Sequence, residues 1–201
     1  YDTVILGYSY QNISAFNNLK LIDESWCNEF FNRYFSFLKI EILSNYIDLN
    51  YSEYYVAMAK NYCFYPNFFV FDYLEEFEND DRKYKEDSEE AINRHFYLDN
   101  KMHGISYISI NYLDSIINYC QSNSMELILI STPVYKTYYE KIPEEFTEYF
   151  LKSKEYFQSK GVIFIDYTLW MENKEYFRNS DHLNYQGSIL FTEKLSTDII
   201  K

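Results

Sequence analysis

With 201 residues, 47% of them hydrophobic, the chain can bury the core of one domain and does not have the composition of a disordered segment. Its formal charge of −13 would repel nucleic-acid phosphates, so no nucleic-acid partner is expected. Cys27, Cys63 and Cys120 form no CxxC pair and have no histidine at ligand spacing, which argues against a structural zinc site; their odd number argues against a full disulfide framework.

The first element is Asp2-Thr3-Val4-Ile5-Leu6, a short strand apolar on both faces, as a central parallel strand should be. Gly7-Tyr8-Ser9 follows it directly. From Tyr10 to Phe71 the pattern is weak: Phe30, Phe31, Tyr34, Phe35 and Leu38 recur at helical spacing, and Asn67 to Phe71 suits a strand. The surplus acid between Glu75 and Glu90 reads as a solvated face, and 75–103 as helix plus loop.

The second half is clearer. Leu113, Ile116, Ile117 and Cys120 mark an amphipathic helix whose apolar face would bury the thiol. Met125 to Ile130 is a strand ended by Ser131-Thr132-Pro133, since proline cannot continue a central strand. A helix over 143–159 carries Phe146, Phe150 and Phe157 on one side. Gly161 opens the strand Val162 to Ile165, closed by Asp166, and Ile189 to Ile200 is a final helix with Phe191, Leu195 and Ile199 inward. Strands alternating with helices predict right-handed parallel crossovers and one three-layer α/β/α domain over residues 1–201.

Chemistry-bearing residues fall where such a sheet gathers its sites, at the carboxyl ends of the strands. Ser9 follows the first strand beside Gly7, which would let a substrate approach; a serine there is also an ordinary helix cap. His182 lies in a compact polar loop, Phe177 to Gly187, before the last helix, whereas His95 and His103 lie in the ambiguous polar stretch. An acid beside His182 would fix its tautomer. Asp181 is adjacent, where neighbouring side chains often diverge; Asn179 stands three residues earlier and is uncharged. Thr132 and Asp166 end two strands, and for Asp166 a turn or cap role is favoured.

Three segments together resemble the SGNH/GDSL hydrolase superfamily, in its envelope-associated bacterial branch, whose members carry an N-terminal membrane anchor. They are Asp2-Thr3-Val4-Ile5-Leu6-Gly7-Tyr8-Ser9, Leu127-Ile128-Leu129-Ile130-Ser131-Thr132-Pro133-Val134-Tyr135-Lys136 and Ser180-Asp181-His182-Leu183-Asn184-Tyr185-Gln186-Gly187. Ala91-Ile92-Asn93-Arg94-His95 adds a weaker match. The resemblance implies a flavodoxin-like sheet, Ser9 as nucleophile and His182 as base, with no metal or organic cofactor. The sequence departs from the family in three places. Tyr8 stands where a small or polar residue is usual, Asn179 occupies the usual place of the triad aspartate, and the oxyanion glycine and asparagine have no clear equivalents, although Thr132 stands near where the latter belongs.

Two functions follow. One is a serine esterase or O-acyltransferase acting on a small acyl ester or an acylated envelope glycan, with Asp181 or Asn179 orienting His182, and Gly7, Thr132 and the Ser9 amide around the oxyanion. The other is a weak or inactive member of the same fold serving in binding or assembly. A nucleotide or flavin binder is disfavoured, since four glycines supply no phosphate loop. No stretch reaches the ~18 apolar residues of a membrane-spanning helix. The chain starts at Tyr1 directly before a strand, so we expect residues upstream, where a signal peptide or membrane anchor would sit, and a place in the cell envelope.

Overall fold

The computed structural model describes residues 2–18 and 83–199. The helical and strand patterns read in Phe30–Leu38 and Asn67–Phe71, together with Cys27 and Cys63, lie outside them. Among the described residues the architecture is mixed α/β around a three-stranded parallel sheet.

The strands of that sheet are β1 (Thr3–Gly7), β4 (Glu126–Ser131) and β5 (Ile163–Asp166), in the order β1-β4-β5. Thr3 pairs with Glu126 and Gly7 with Ile130, while Ile128 pairs with Ile163 and Ser131 with Asp166. These are the three apolar runs expected from the sequence, each within a residue of its predicted bounds. Parallel strands cannot be joined by tight turns, so helices intervene. They are α1 (Ser88–Phe96), α2 (Tyr107–Ser122), the short α3 (Lys136–Tyr139), α4 (Glu144–Ser159) and α5 (Tyr185–Ile199). Between α1 and α2, where the sequence pattern predicts helix plus loop, Tyr97–Leu98 (β2) and Lys101–Met102 (β3) form a two-stranded antiparallel hairpin. Asp99 and Asn100 turn it at φ 49° and 61°, the left-handed conformation that these two residue types tolerate best.

β4 is buried from Leu127 to Ser131, and its side chains alternate between two apolar clusters. Leu127 and Leu129 join Phe164 of β5 and Ile92, Phe96, Ile117, Phe146, Phe150 and Phe157, drawn from α1, α2 and α4. Cys120 is buried among them as a free thiol. Ile128 and Ile130 join Tyr167, Phe191, Leu195 and Ile199 beneath α5. Burial on both sides is what allows a strand with no polar alternation.

Local chemistry sets the boundaries. Ser106 accepts from the Ser109 amide at 3.1 Å and caps α2. Gly161, at φ 81°, turns the chain from α4 into β5. At the other end of β5, Asp166 Oδ1 accepts from Ser131 Oγ at 2.6 Å and from Thr168 N and Oγ1 at 3.1 and 2.7 Å, while Oδ2 pairs with Lys154 Nζ at 3.1 Å. Burial pushes this carboxyl up, but these donors together hold it below the usual carboxylate range. Asp166 is therefore a structural knot tying β4 to β5, the turn role favoured from sequence. No helix among the described residues is long and apolar enough to cross a membrane.

Candidate active site at the carboxyl edge of the sheet

Past Gly7 the chain stays on the sheet for one more residue, as Tyr8 N donates to Ile130 O at 2.8 Å. The Tyr8 side chain turns into the core under α4. Its ring stacks on Phe150 at 5.7 Å, meets Phe157 and Phe164 edge-on at 5.5 and 6.0 Å, and its hydroxyl donates to Ser153 Oγ at 3.0 Å. Tyr8 is thus a core residue.

Ser9 follows, 5% exposed, with its Oγ 3.5 Å from Thr132 Oγ1, at the outer limit of a hydrogen bond. The chain then enters a 3-10 turn at Tyr10–Ile13, whose Asn12 side chain returns to the Ser9 amide: Ser9 N donates to Asn12 Oδ1 at 2.7 Å. The amide expected to face an oxyanion is engaged by that carboxamide. At Gly7 the space a Cβ would fill is open, so packing does not demand glycine there.

The histidine loop reaches the same edge. Tyr135 N donates to Ser180 O at 2.8 Å, fastening the loop to the segment that follows β4, three residues beyond Thr132. Thr132–Tyr135 therefore has Ser9 at one end and the His182 loop at the other. Within the loop Phe177 bridges to Leu183, and Arg178 N donates to His182 O at 2.9 Å. This tight reversal explains why Asp181 and His182 do not diverge.

His182 Nδ1 lies 3.0 Å from Asp181 Oδ1 and 3.0 Å from Asn179 Oδ1. The Asn179 amide nitrogen donates to Asp87 Oδ2 at 2.9 Å, so its carbonyl faces the imidazole. Both neighbours of Nδ1 are acceptors, so the tautomer of the neutral ring that fits them has its proton on Nδ1 and a lone pair on Nε2. Asp87 also accepts from Ser180 N and Oγ at 3.0 and 2.7 Å, anchoring the loop to the start of α1.

The Asp181 side chain is only 1% exposed, beside a His182 side chain that is 56% exposed. Burial pushes its carboxyl up, yet His182, His95 and Arg94 outweigh burial and hold it below the usual range, ionised. Arg94 Nη2 and His95 Nε2 lie 3.3 and 3.7 Å from Asp181 Oδ2. Sequence reasoning gave no role to Asp87, Arg94, His95 or Asn12. The single hint for two of them was the weak Ala91–His95 resemblance, because α1 contacts the loop only through tertiary packing.

The motif after His182 has a structural meaning. Asn184 Oδ1 accepts from Gly187 N at 2.9 Å and so caps α5, while Asn184 Nδ2 donates to Glu175 O at 2.6 Å. A Cβ on Gly187 would run into the Tyr176 carbonyl. Among the described residues no three His, Cys, Asp or Glu side chains are grouped to hold a metal ion.

The family model of a domain of unknown function matches residues 98–201, about half of the chain, and the chain belongs to that family. The match begins after α1, so Ser9, Asp87, Arg94 and His95 all precede it. No curated protein and no solved structure matches the chain.

Proposed function

We propose that this member of an uncharacterised family is a serine esterase or O-acyltransferase of the SGNH/GDSL type, working on a small acyl ester or an acylated glycan of the bacterial cell envelope. Ser9 is the nucleophile, His182 the base and Asp181 the acid that orients it. The observation that carries this reading is the buried Asp181 carboxylate at 3.0 Å from His182 Nδ1, in a loop fastened to the strand end that Ser9 also touches. The two apolar clusters on either side of β4 support a three-layer, flavodoxin-like arrangement over a single domain.

In this mechanism Ser9 Oγ attacks the acyl carbon while its proton passes to His182 Nε2. The imidazolium is stabilised by Asp181 and held by Asn179. Collapse of the tetrahedral intermediate breaks the ester bond, and the proton goes from Nε2 to the departing alcohol. Water, or a second alcohol in a transferase, then takes the acyl group from Ser9 with His182 again removing the proton. Thr132 and the open space at Gly7 border the acyl oxygen.

Turnover of 4-nitrophenyl acetate tests the reading. Slow hydrolysis by the wild-type protein, lost in Ser9→Ala, is expected; equal rates for the two proteins end the enzyme reading. A binding or assembly role is the second reading, and one observation favours it: the Ser9 amide is bonded to Asn12 and faces no open oxyanion site. It expects no turnover by the wild type.

A further inference from the structure

Asp181 has two oxygens with different partners. Oδ1 receives His182, whereas Oδ2 gathers Arg94 Nη2 at 3.3 Å and His95 Nε2 at 3.7 Å. Both of these side chains come from the last turn of α1. A carboxylate that is 1% exposed is costly unless it is paired, and with one oxygen given to His182 the other must be met elsewhere.

The His95 ring is itself fixed from behind. Its Nδ1 lies 2.7 Å from the Tyr138 hydroxyl, and Tyr138 is fully buried. Burial, then the nearby Asp181 charge, raises the Tyr138 pKa, so the phenol keeps its proton; the Asp181 carboxylate favours the His95 tautomer that points an N–H at it, and toward that tautomer the phenol is the donor to Nδ1. That leaves the proton of a neutral His95 on Nε2, facing Asp181. At 3.7 Å this is an electrostatic contact and no hydrogen bond. Contacts from both sides thus converge on the Asp181 carboxylate: Tyr138 fixes the His95 ring, His95 and Arg94 face Oδ2, and His182 Nδ1 meets Oδ1.

We infer that Arg94 and His95 are positioning residues for His182, acting through the Asp181 carboxylate, with Tyr138 fixing the His95 ring. The consequence for catalysis rests on the hydrolase reading; the geometry itself does not. A cluster that merely pinned α1 to the loop would affect stability and leave the His182 tautomer alone. A positioning role requires that Asp181 swing when its Oδ2 partners are removed, and that His182 then cease to be held as the Nδ1–H form.

Long-range proton–nitrogen spectra of histidine-labelled protein at about pH 8, where a free imidazole is neutral, read this directly. Wild type is expected to show His182 as the Nδ1–H tautomer and His95 as Nε2–H. Arg94→Gln should give a mixture at His182, Arg94→Lys should restore much of the wild-type signal, and Tyr138→Phe should disturb His95 and, more weakly, His182. Arg94 is 43% exposed and Tyr138→Phe keeps the ring, so these variants are chosen to preserve the fold. Where the ester is turned over, Arg94→Gln should lower kcat roughly tenfold with little change in KM. If His182 stays wholly Nδ1–H in both Arg94→Gln and Tyr138→Phe, the inference is wrong. If wild type turns over no ester while Arg94→Gln shifts the tautomer, the positioning stands and the enzyme reading falls.

Discussion

Asn179 donates through Nδ2 to Asp87 Oδ2 at 2.9 Å, and that bond decides which end of its carboxamide His182 meets. A carboxamide held in this way offers an oxygen to Nδ1 without carrying charge, leaving the adjacent Asp181 as the ionised partner. Asp87 thereby orients the carboxamide that meets the imidazole, and through Ser180 it also holds the loop that carries Asp181 and His182.

Placing an acid at position 179, where the resemblance to SGNH/GDSL hydrolases would put one, by Asn179→Asp should therefore not raise ester turnover. The new carboxylate would face Asp87 across a distance that now holds a hydrogen bond, and two carboxylates so close cannot both ionise without cost. We expect destabilisation of about 1–3 kcal/mol at pH 7, relieved on mild acidification. Pairing it with Asp87→Asn restores the bond with its polarity reversed and should recover stability and raise kcat/KM above that of Asn179→Asp. A double-mutant cycle on denaturation midpoints and on ester turnover checks both parts.

Asp181→Asn should lower ester turnover strongly. The corresponding change in a serine protease triad costs about 10⁴, and Asn179 as a second acceptor should limit the loss here to roughly 10²–10³. Asn179→Ala should cost less than Asp181→Asn. Equal losses would mean that the two acceptors share the role.

Acid should expose the same carboxylate. The folded pKa of Asp181 is lowered, so its stabilisation is present above the unfolded value of about 4 and is lost as pH falls below that toward the folded value. Melting temperature followed from pH 6 to pH 2 should fall less steeply in Asp181→Asn than in wild type. Parallel curves would refute the assignment of Asp181 as ionised in the fold.

Gly187→Ala should destabilise the protein although alanine is the better helix former by about 1 kcal/mol. The added methyl would collide with the Tyr176 carbonyl, which also accepts from Asn184 N at 2.9 Å. A fall in melting temperature is the expected result, at roughly 2–4 °C per kcal/mol for a chain of this size. An unchanged or higher value would show that the Lys174–Tyr176 turn gives way freely.

Tyr8 lies next to the proposed nucleophile but packs in the core, and two substitutions separate these facts. Tyr8→Phe keeps the ring among Phe150, Phe157 and Phe164 and loses one hydroxyl bond, a cost of about 1 kcal/mol, with turnover nearly unchanged. Tyr8→Ala should cost about 3–5 kcal/mol by opening a cavity. A large loss of turnover in stable Tyr8→Phe would place the phenol in the chemistry instead.

The sheet was legible because its signal is local. Three short, mainly apolar runs, bounded by glycine, proline or aspartate, need no partner to be recognised, and helical spacing marked α2 and α4. Ser9 and His182 could be picked out for a related reason: each sits at the junction of two such elements. The hairpin at Tyr97–Met102 escaped because two-residue strands carry too little periodicity to register.

What the sequence by itself determined was the order of the sheet strands and the main helices and the placing of Ser9 and His182 at element ends; the central place expected for the first strand it did not, since β1 lies at an edge of the described sheet with Ile5 48% exposed. The partners of His182 were decided only by the tertiary structure. Whether Asp181 turns toward its neighbour or away depends on the reversal between Phe177 and Leu183, and on Arg94 and His95 arriving from 86 or more residues earlier. Asn179 looks from sequence like a lost acid; its carboxamide gains an orientation only from Asp87 on the other side of the loop. Periodicity records which face of an element is buried, but side-chain electrostatics depends on distances of a few ångströms between segments that only folding brings together.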